Sequence, residues 1–180
     1  QGHAPRHLQG LRVHQGEDAV LLDPVARRNL ELFETLRGEP SPTLLSVLDQ
    51  CATSAGGRLL RRWLAAPTRR QAVAARRHAM IECLREAGDG GLPLFRRLHQ
   101  AMRQSVDFER AAGRLALRSI RPRELAALRD AAPMLAELRA LVDVGGDPMF
   151  SDLRTALDEP PAAHALLCEA LLDEPAAMVR

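Results

Sequence analysis

The chain has no lysine and no tyrosine; all 25 of its basic residues are arginine. Without lysine there is no phosphate-loop lysine, no Schiff-base lysine and no Ser–Lys dyad within these residues. Only 3% of the residues are aromatic, so a core must be built from leucine and alanine. Those two lead the intrinsic helix scale, and Val, Ile and Thr are scarce, so the composition favours helices. The cysteines, Cys51, Cys83 and Cys168, are odd in number, far apart and in no CxxC pair. Set among Ala and Leu, they are expected to be reduced and mostly buried. No apolar run approaches the ~18 residues that span a bilayer, and no signal peptide is recognisable. There is also no initiator methionine. Gln1-Gly2-His3 reads as the scar of a cleaved affinity tag, which makes the chain an expected excerpt of a longer protein.

What the chain does have is arginine, unevenly spread. Between Asp49 and Glu82 lie 32 residues with seven arginines (Arg58, Arg61, Arg62, Arg69, Arg70, Arg76, Arg77) and no carboxylate. Charge this concentrated must face an acidic partner, nucleic acid or open water. Residues 1–123 carry 21 Arg against 12 acids (+9), and residues 124–180 carry 4 Arg against 11 (−7), which together give the net +2. A basic front and an acidic tail imply separate surfaces, facing each other or facing different partners. Arg-over-Lys usage also follows from a GC-rich genome and is not by itself a sign of phosphate recognition.

The local signals predict a mainly α fold with one small β hairpin at the front, formed by Leu8–Val13 and Ala19–Leu22 around Gln15-Gly16-Glu17. Asp23-Pro24 supplies an N-cap and a first-turn proline for a short helix through Arg28. Thr43 caps another through Leu48, and Thr53 or Ser54 caps a third that Pro67 stops. On that third helix Leu59, Leu60, Trp63 and Leu64 form the apolar face, with Arg58, Arg61 and Arg62 opposite. Gly56 and Gly57 in its first turn cost about 1 kcal/mol each, which points to a close approach by another backbone. Further helices are expected to about residue 87, over 92–103 and 107–117, from Pro122 to about Val144 with a kink at Pro133, and over 149–157 and 162–172.

The candidate site residues are arginines with one tryptophan. For Arg58, Arg61 and Arg62 the readings are, in order, pairing within the chain or with another domain, a solvated face, and DNA. Trp63 is expected in the core. Arg110, Arg114, Arg118 and Arg121 make one stripe if their helix continues. Like charges at i, i+4 cost about 0.2–0.5 kcal/mol per pair, and no acid intervenes between Glu109 and Glu124, although Asp107 is within reach of Arg110. A solvated face, acids on another helix or domain, and phosphate are the options in that order. Base stacking is disfavoured because no aromatic is interleaved with the arginines. His78 and Glu82 share the i, i+4 spacing of a metal pair but lack a third ligand. No GxSxG and no Cys–His spacing supports catalysis, so no catalytic, cofactor or metal residue is assigned within the chain.

Three stretches resemble the MutS family of DNA mismatch-repair ATPases. LLDPVARRNLEL (Leu21–Leu32) is similar to the family's Asp-x-x-Thr-x-Arg-Asn-Leu-Glu-Leu opening of its core. LLSVLDQCATSAGGRLLRRWLAAP (Leu44–Pro67) is similar to its Leu-x-x-Leu-Asp, Thr-x-x-Gly-x-Arg-x-Leu and Trp-Leu-x-x-Pro run. DFERAAGRLALRSIRPRELAALRDA (Asp107–Ala131) resembles its Asp-Leu-Glu-Arg and Arg-Pro-Arg-Asp-Leu. Departures are Ala26 for the usual Thr or Ser, Ala55-Gly56-Gly57 for a Met-Gly-Ser-like triplet, and Arg70 for the usual Asp after the Trp-Leu-x-x-Pro. The last removes a customary N-cap, for which Thr68 is the substitute.

The resemblance implies a division into a tag remnant (1–3), the end of a connector with the hairpin (4–22), and a partial helical core/lever domain (23–180). It implies that the whole protein binds mismatched DNA, uses ATP and magnesium, pairs as a homodimer, and works in the bacterial cytoplasm on the nucleoid. The clamp and ATPase domains of the same chain would be this segment's partners. The Phe-x-Glu mismatch wedge and the phosphate loop are not in these residues, so the segment is expected to act as a structural relay. Rival readings are a stand-alone arginine-rich nucleic-acid-binding module and a MutS paralogue that lacks mismatch recognition.

Overall fold

The computed structural model describes residues 18–86, 91–103, 105–143, 150–158 and 161–174. Within them the chain is helical. Asp23 Oδ1 accepts the Ala26 amide at 2.8 Å and opens α1 (Pro24–Asn29), with proline where an amide would be orphaned anyway. Thr43, itself buried, opens α2 (Leu44–Leu48) by a reciprocal box with Ser46: the Ser46 amide donates to Thr43 Oγ1, and the Thr43 amide donates to Ser46 Oγ. Thr53 caps α3 (Ser54–Ala65) through the Gly56 amide at 3.0 Å, leaving Ser54 for another role. These three starts match the sequence expectation because each is settled within four residues.

α4 (Gln71–Arg85) begins without a side-chain cap, since Arg70 stands at its N-cap. Thr68 Oγ1 accepts the Arg70 amide at 3.2 Å, so it steadies the approach to the helix rather than its first turn. α5 (Leu94–Met102) and α6 (Phe108–Ala116) follow. The predicted helix from Pro122 is two helices, α7 (Pro122–Arg129) and α8 (Ala132–Val142). Pro133 cannot donate to the Arg129 carbonyl, and it sits instead in the first turn of α8, where a missing amide costs nothing. The outcome is a break, not a kink. α9 (Ser151–Ala156) and α10 (Pro161–Ala170) complete the described elements.

The apolar centre lies late in the chain. α5 packs on α8, α4 lies against α5, α9 against α8, and α10 and α6 against α7. Leu94 from α5, Leu138, Leu141 and Val142 from α8, and Phe150 ahead of α9 are all buried, Phe150 to 1% exposure. Ala111 of α6, Ala126 of α7 and Ala131 at the head of α8 are buried as well. The expected leucine–alanine core is therefore present, with one phenylalanine at its heart.

The first arm and turn of the expected hairpin lie outside the described residues. On its second arm, Ala19 makes an isolated antiparallel bridge with Thr68, Val20 donates to the Pro67 carbonyl and Arg69 to the Asp18 carbonyl. Asp18 also accepts a two-toothed contact from the Arg70 guanidinium, with Nε–Oδ1 at 2.7 Å. The cysteines are not buried: Cys51 and Cys168 are exposed and Cys83 is half-buried. Small apolar neighbours in sequence did not become a covering in space.

Candidate functional site

Helix α3 carries four of the six candidate residues: Arg58 and Arg62 turn toward the head of α6, Arg61 toward Phe33, and Trp63 toward Arg77. Arg58 crosses to the start of α6, where its Nη1 and Nη2 donate to the two Asp107 oxygens at 2.8 Å each. The same guanidinium reaches Glu109 Oε2 through Nη2 at 2.8 Å and Nε at 3.2 Å. Ser54 Oγ donates to Asp107 Oδ2 at 3.0 Å, and the Arg110 amide donates to Asp107 Oδ1 at 3.1 Å, making Asp107 the N-cap of α6. One carboxylate thus ends α3's polar face and begins α6. Arg62 sits 3.8 Å from Glu109 at the rim.

The electrostatics follow from that geometry. Hydrogen bonds from Arg58 hold the Asp107 carboxyl well below the usual carboxylate range, helped by the Arg110 amide and Ser54. Arg58 lowers Glu109 in the same way, and the two carboxylates hold the Arg58 proton more firmly than usual. Asp107 is only 20% exposed and Arg58 35%, so the pair is partly sheltered from salt.

Arg61 points elsewhere. Its guanidinium lies 4.4 Å over the Phe33 ring, above a cleft of about 440 Å³ lined by Pro24, Arg27, Arg28, Phe33, Glu34, Thr35, Leu36, Gly38 and Arg61. Trp63, expected in the core, is 42% exposed, and the Arg77 guanidinium of α4 covers its ring at 3.7 Å. An arginine stands where an apolar neighbour was anticipated, and it can do so because the ring face attracts a cation.

Arg110 and Arg114 complete the set. Arg110 Nε is 3.9 Å from Asp107 Oδ2, as their spacing indicated. Arg114 pairs with Glu124 of α7, whose other oxygen accepts the Arg121 amide at 3.0 Å. The predicted stripe stops there, because α6 ends at Ala116 and Arg118 turns left-handed at φ 52°. Relief of the like charges therefore comes from the next helix.

Three contributors were missed in the sequence. Asp107 and Glu109 were read only as local acids, although they are the first pair of carboxylates after Asp89 and open a helix opposite the acid-free run. Arg129, 12% exposed, bonds the Leu172 and Asp173 carbonyls at 3.1 and 3.3 Å and so ties α7 to the end of α10. The glycine pair was misassigned: a Cβ on Gly57 would stand 2.9 Å from Asp49 Oδ2, and one on Gly56 would stand 3.2 Å from Cys51 Cβ. Side chains of the preceding loop, not a second backbone, occupy that space.

The motif Arg28-Asn29-Leu30-Glu31-Leu32 is a structural knot. Glu31 adopts φ 46°, a left-handed conformation costing on the order of 1–2 kcal/mol in a residue with a side chain. Its carbonyl accepts the Leu44 amide at 3.0 Å, and its Oε1 accepts the Leu36 amide at 2.7 Å. Buried Leu32 anchors the other side and accepts the Leu45 amide. The strain is offset by fixing the 30–38 loop against α2. Among the described residues no three His, Cys, Asp or Glu side chains converge as metal ligands, and no helix is long and apolar enough to cross a membrane.

Residues 25–180 match the model for MutS domain III, and the chain belongs to the MutS family.

Proposed function

We propose that residues 23–180 are the core/lever segment of a DNA mismatch-repair ATPase, coupling events on DNA to ATP binding and hydrolysis in other domains of the same protein. The observation that carries this reading is the Arg58 clamp, in which one guanidinium binds both Asp107 and Glu109 and so fixes the α3 face to the first turn of α6. A helix transmits displacement because its backbone hydrogen bonds resist bending, and a rigid joint between helices passes it on. The Arg129 tie from α7 to the end of α10 supports the same role at the other end of the segment. On this reading the chemistry belongs to other domains of the same protein.

The test is Arg58→Ala in the protein that carries this segment together with its ATPase and DNA-binding domains. Basal ATP hydrolysis and duplex affinity are expected to stay near wild type, while stimulation of hydrolysis by mismatched duplex falls on the order of fivefold to tenfold. Unchanged stimulation removes the relay. Alone, the 180-residue chain is expected neither to hydrolyse ATP nor to distinguish mismatched from matched duplex. A preference of roughly tenfold at moderate salt places mismatch recognition here instead.

A further inference from the structure

Among the described residues, the guanidinium groups that line the cleft beside α1 make no ion pair with a carboxylate. Arg27 spends its Nε on the Leu22 carbonyl at 3.1 Å, and Arg28 spends one Nη2 bond on the Leu36 carbonyl at 3.3 Å. Those bonds orient the two side chains, and their remaining N–H donors have no partner among the described residues. The Arg61 guanidinium lies 4.4 Å over the Phe33 ring and makes no hydrogen bond among the described residues. Glu34 lines the same cleft, yet it makes no ion pair with any of the three. With three arginines against one acid, the lining carries a net +2.

A second observation points the same way. Thr35 is 9% exposed and lines the cleft. Its hydroxyl oxygen accepts the Glu39 amide at 3.0 Å, but the hydroxyl makes no donor bond among the described residues. A buried hydroxyl proton and three oriented guanidiniums around one concavity ask for a ligand that only accepts. An oxyanion with several acceptor oxygens fits that demand, because planar guanidiniums bind phosphate oxygens in pairs. A volume of about 440 Å³ admits more than one phosphate group.

We propose that the cleft between α1, the 30–38 loop and α3 is a phosphate-binding site, with Arg27, Arg28 and Arg61 as the charged ligands and Thr35 as a neutral donor. The phosphate is either a free polyphosphate or part of a nucleic-acid backbone. The site is independent of the relay, since none of its residues takes part in the Arg58 clamp.

The experiment titrates the 180-residue chain with pyrophosphate and, separately, with a matched duplex, following backbone amide shifts by NMR. Two variants accompany it: Arg27→Gln/Arg61→Gln, and Arg69→Gln as a control outside the cleft. If free polyphosphate is the ligand, saturable shifts are confined to Arg27, Thr35, Leu36, Gly38 and Arg61. The double variant then weakens pyrophosphate binding at least about tenfold, as expected for loss of charge-assisted bonds, and the control does not. If the source is a nucleic-acid backbone, duplex shifts map to the same residues, and the slope of log affinity against log salt falls by nearly two in the double variant. The shift map in the unaltered chain decides the matter even if the double variant does not fold. Shifts scattered over the basic surface, equal weakening by Arg69→Gln, or no binding of either probe overturns the proposal.

Discussion

Among the described residues, Leu32 is the only buried apolar side chain before residue 87, whereas Leu94, Ala111, Ala126, Ala131, Leu138, Leu141, Val142 and Phe150 are all buried after residue 91. The earlier region, which holds the acid-free arginine run, leaves Leu21, Val25, Val47, Leu59 and Trp63 exposed. It is held by caps, by the Glu31 knot and by arginines that reach carbonyls, rings and distant acids. The later region has ties of the same kind, such as Arg114–Glu124 and Arg139–Asp158, and adds packed apolar area to them. The difference bears on function, because polar ties are short-ranged, directional and sensitive to salt, while buried area is not. Under the proposed relay, the first kind of bond suits a variable end and the second a fixed end. Among the described residues two ion pairs, Arg76–Asp152 and Arg114–Glu124, join the basic front to the acidic tail, and only the first of them draws on the acid-free run.

The largest expected effect comes from breaking the fixed end. Phe150→Ala empties the one large side chain that is fully buried among the described residues, at a cost of about 3–5 kcal/mol. In a chain of this size that lowers the thermal midpoint by roughly 10 °C. Leu59→Ala, on a side chain already 38% exposed, is expected to cost less than about 1 kcal/mol. Urea unfolding of the two variants measures both values. Equal costs would mean that the earlier region also rests on apolar packing, and the contrast would be gone.

Arg58→Ala comes next, since it strands two carboxylates against each other at the head of α6. The midpoint is expected to fall by a few degrees at neutral pH, and by less in 1 M salt, where the screening length shrinks to about 3 Å. The pH dependence has a definite sign. Asp107 and Glu109 are held below their ordinary values, so their contribution is fully present above the unfolded carboxylate range near pH 4. It is lost as pH falls through that range toward their depressed folded values. The gap between wild type and Arg58→Ala should therefore be widest at pH 6–7 and begin to close below about pH 4. A gap that is flat from pH 7 to 3 would mean that lost packing of the arginine stem, not the ion pairs, carries the effect.

What could be read in the chain was local. Asp23-Pro24, Thr43 and Thr53 fix helix starts because a side chain and an amide three residues on are brought together by the backbone alone. The Arg58–Asp107 bond spans 49 residues, and nothing in the acid-free run says which acid will arrive. The order of the helices is legible in caps, prolines and leucine spacing, and the motif resemblance adds the family to it. Pro133 was read as a kink because the leucine spacing runs through it, but a proline serves a first turn as readily as it breaks an interior one. Gly57 was assigned to a backbone contact, although a small residue equally makes room for a carboxylate such as Asp49. The Arg27–Arg28–Arg61 cleft joins three positions whose proximity depends on the left-handed turn at Glu31, for which no non-glycine residue gives a strong signal.

Trp63 sharpens the comparison at its finest scale. On the apolar side of α3 an indole would normally be buried, yet Arg77 covers it, so the earlier region uses a cation where the later one uses leucine. A cation over an indole at a partly exposed site contributes about 0.5–1 kcal/mol, so Arg77→Ala should lower stability by no more than that. Because the chain has one tryptophan, its emission reports this contact alone. Removal of the guanidinium should shift that emission to longer wavelength as water reaches the ring. Arg77→Leu restores apolar cover without charge and separates the two contributions. If it matches wild type in both emission and stability, shielding by the side chain accounts for the contact; if it recovers the emission but not the stability, the cation itself holds α4 on α3.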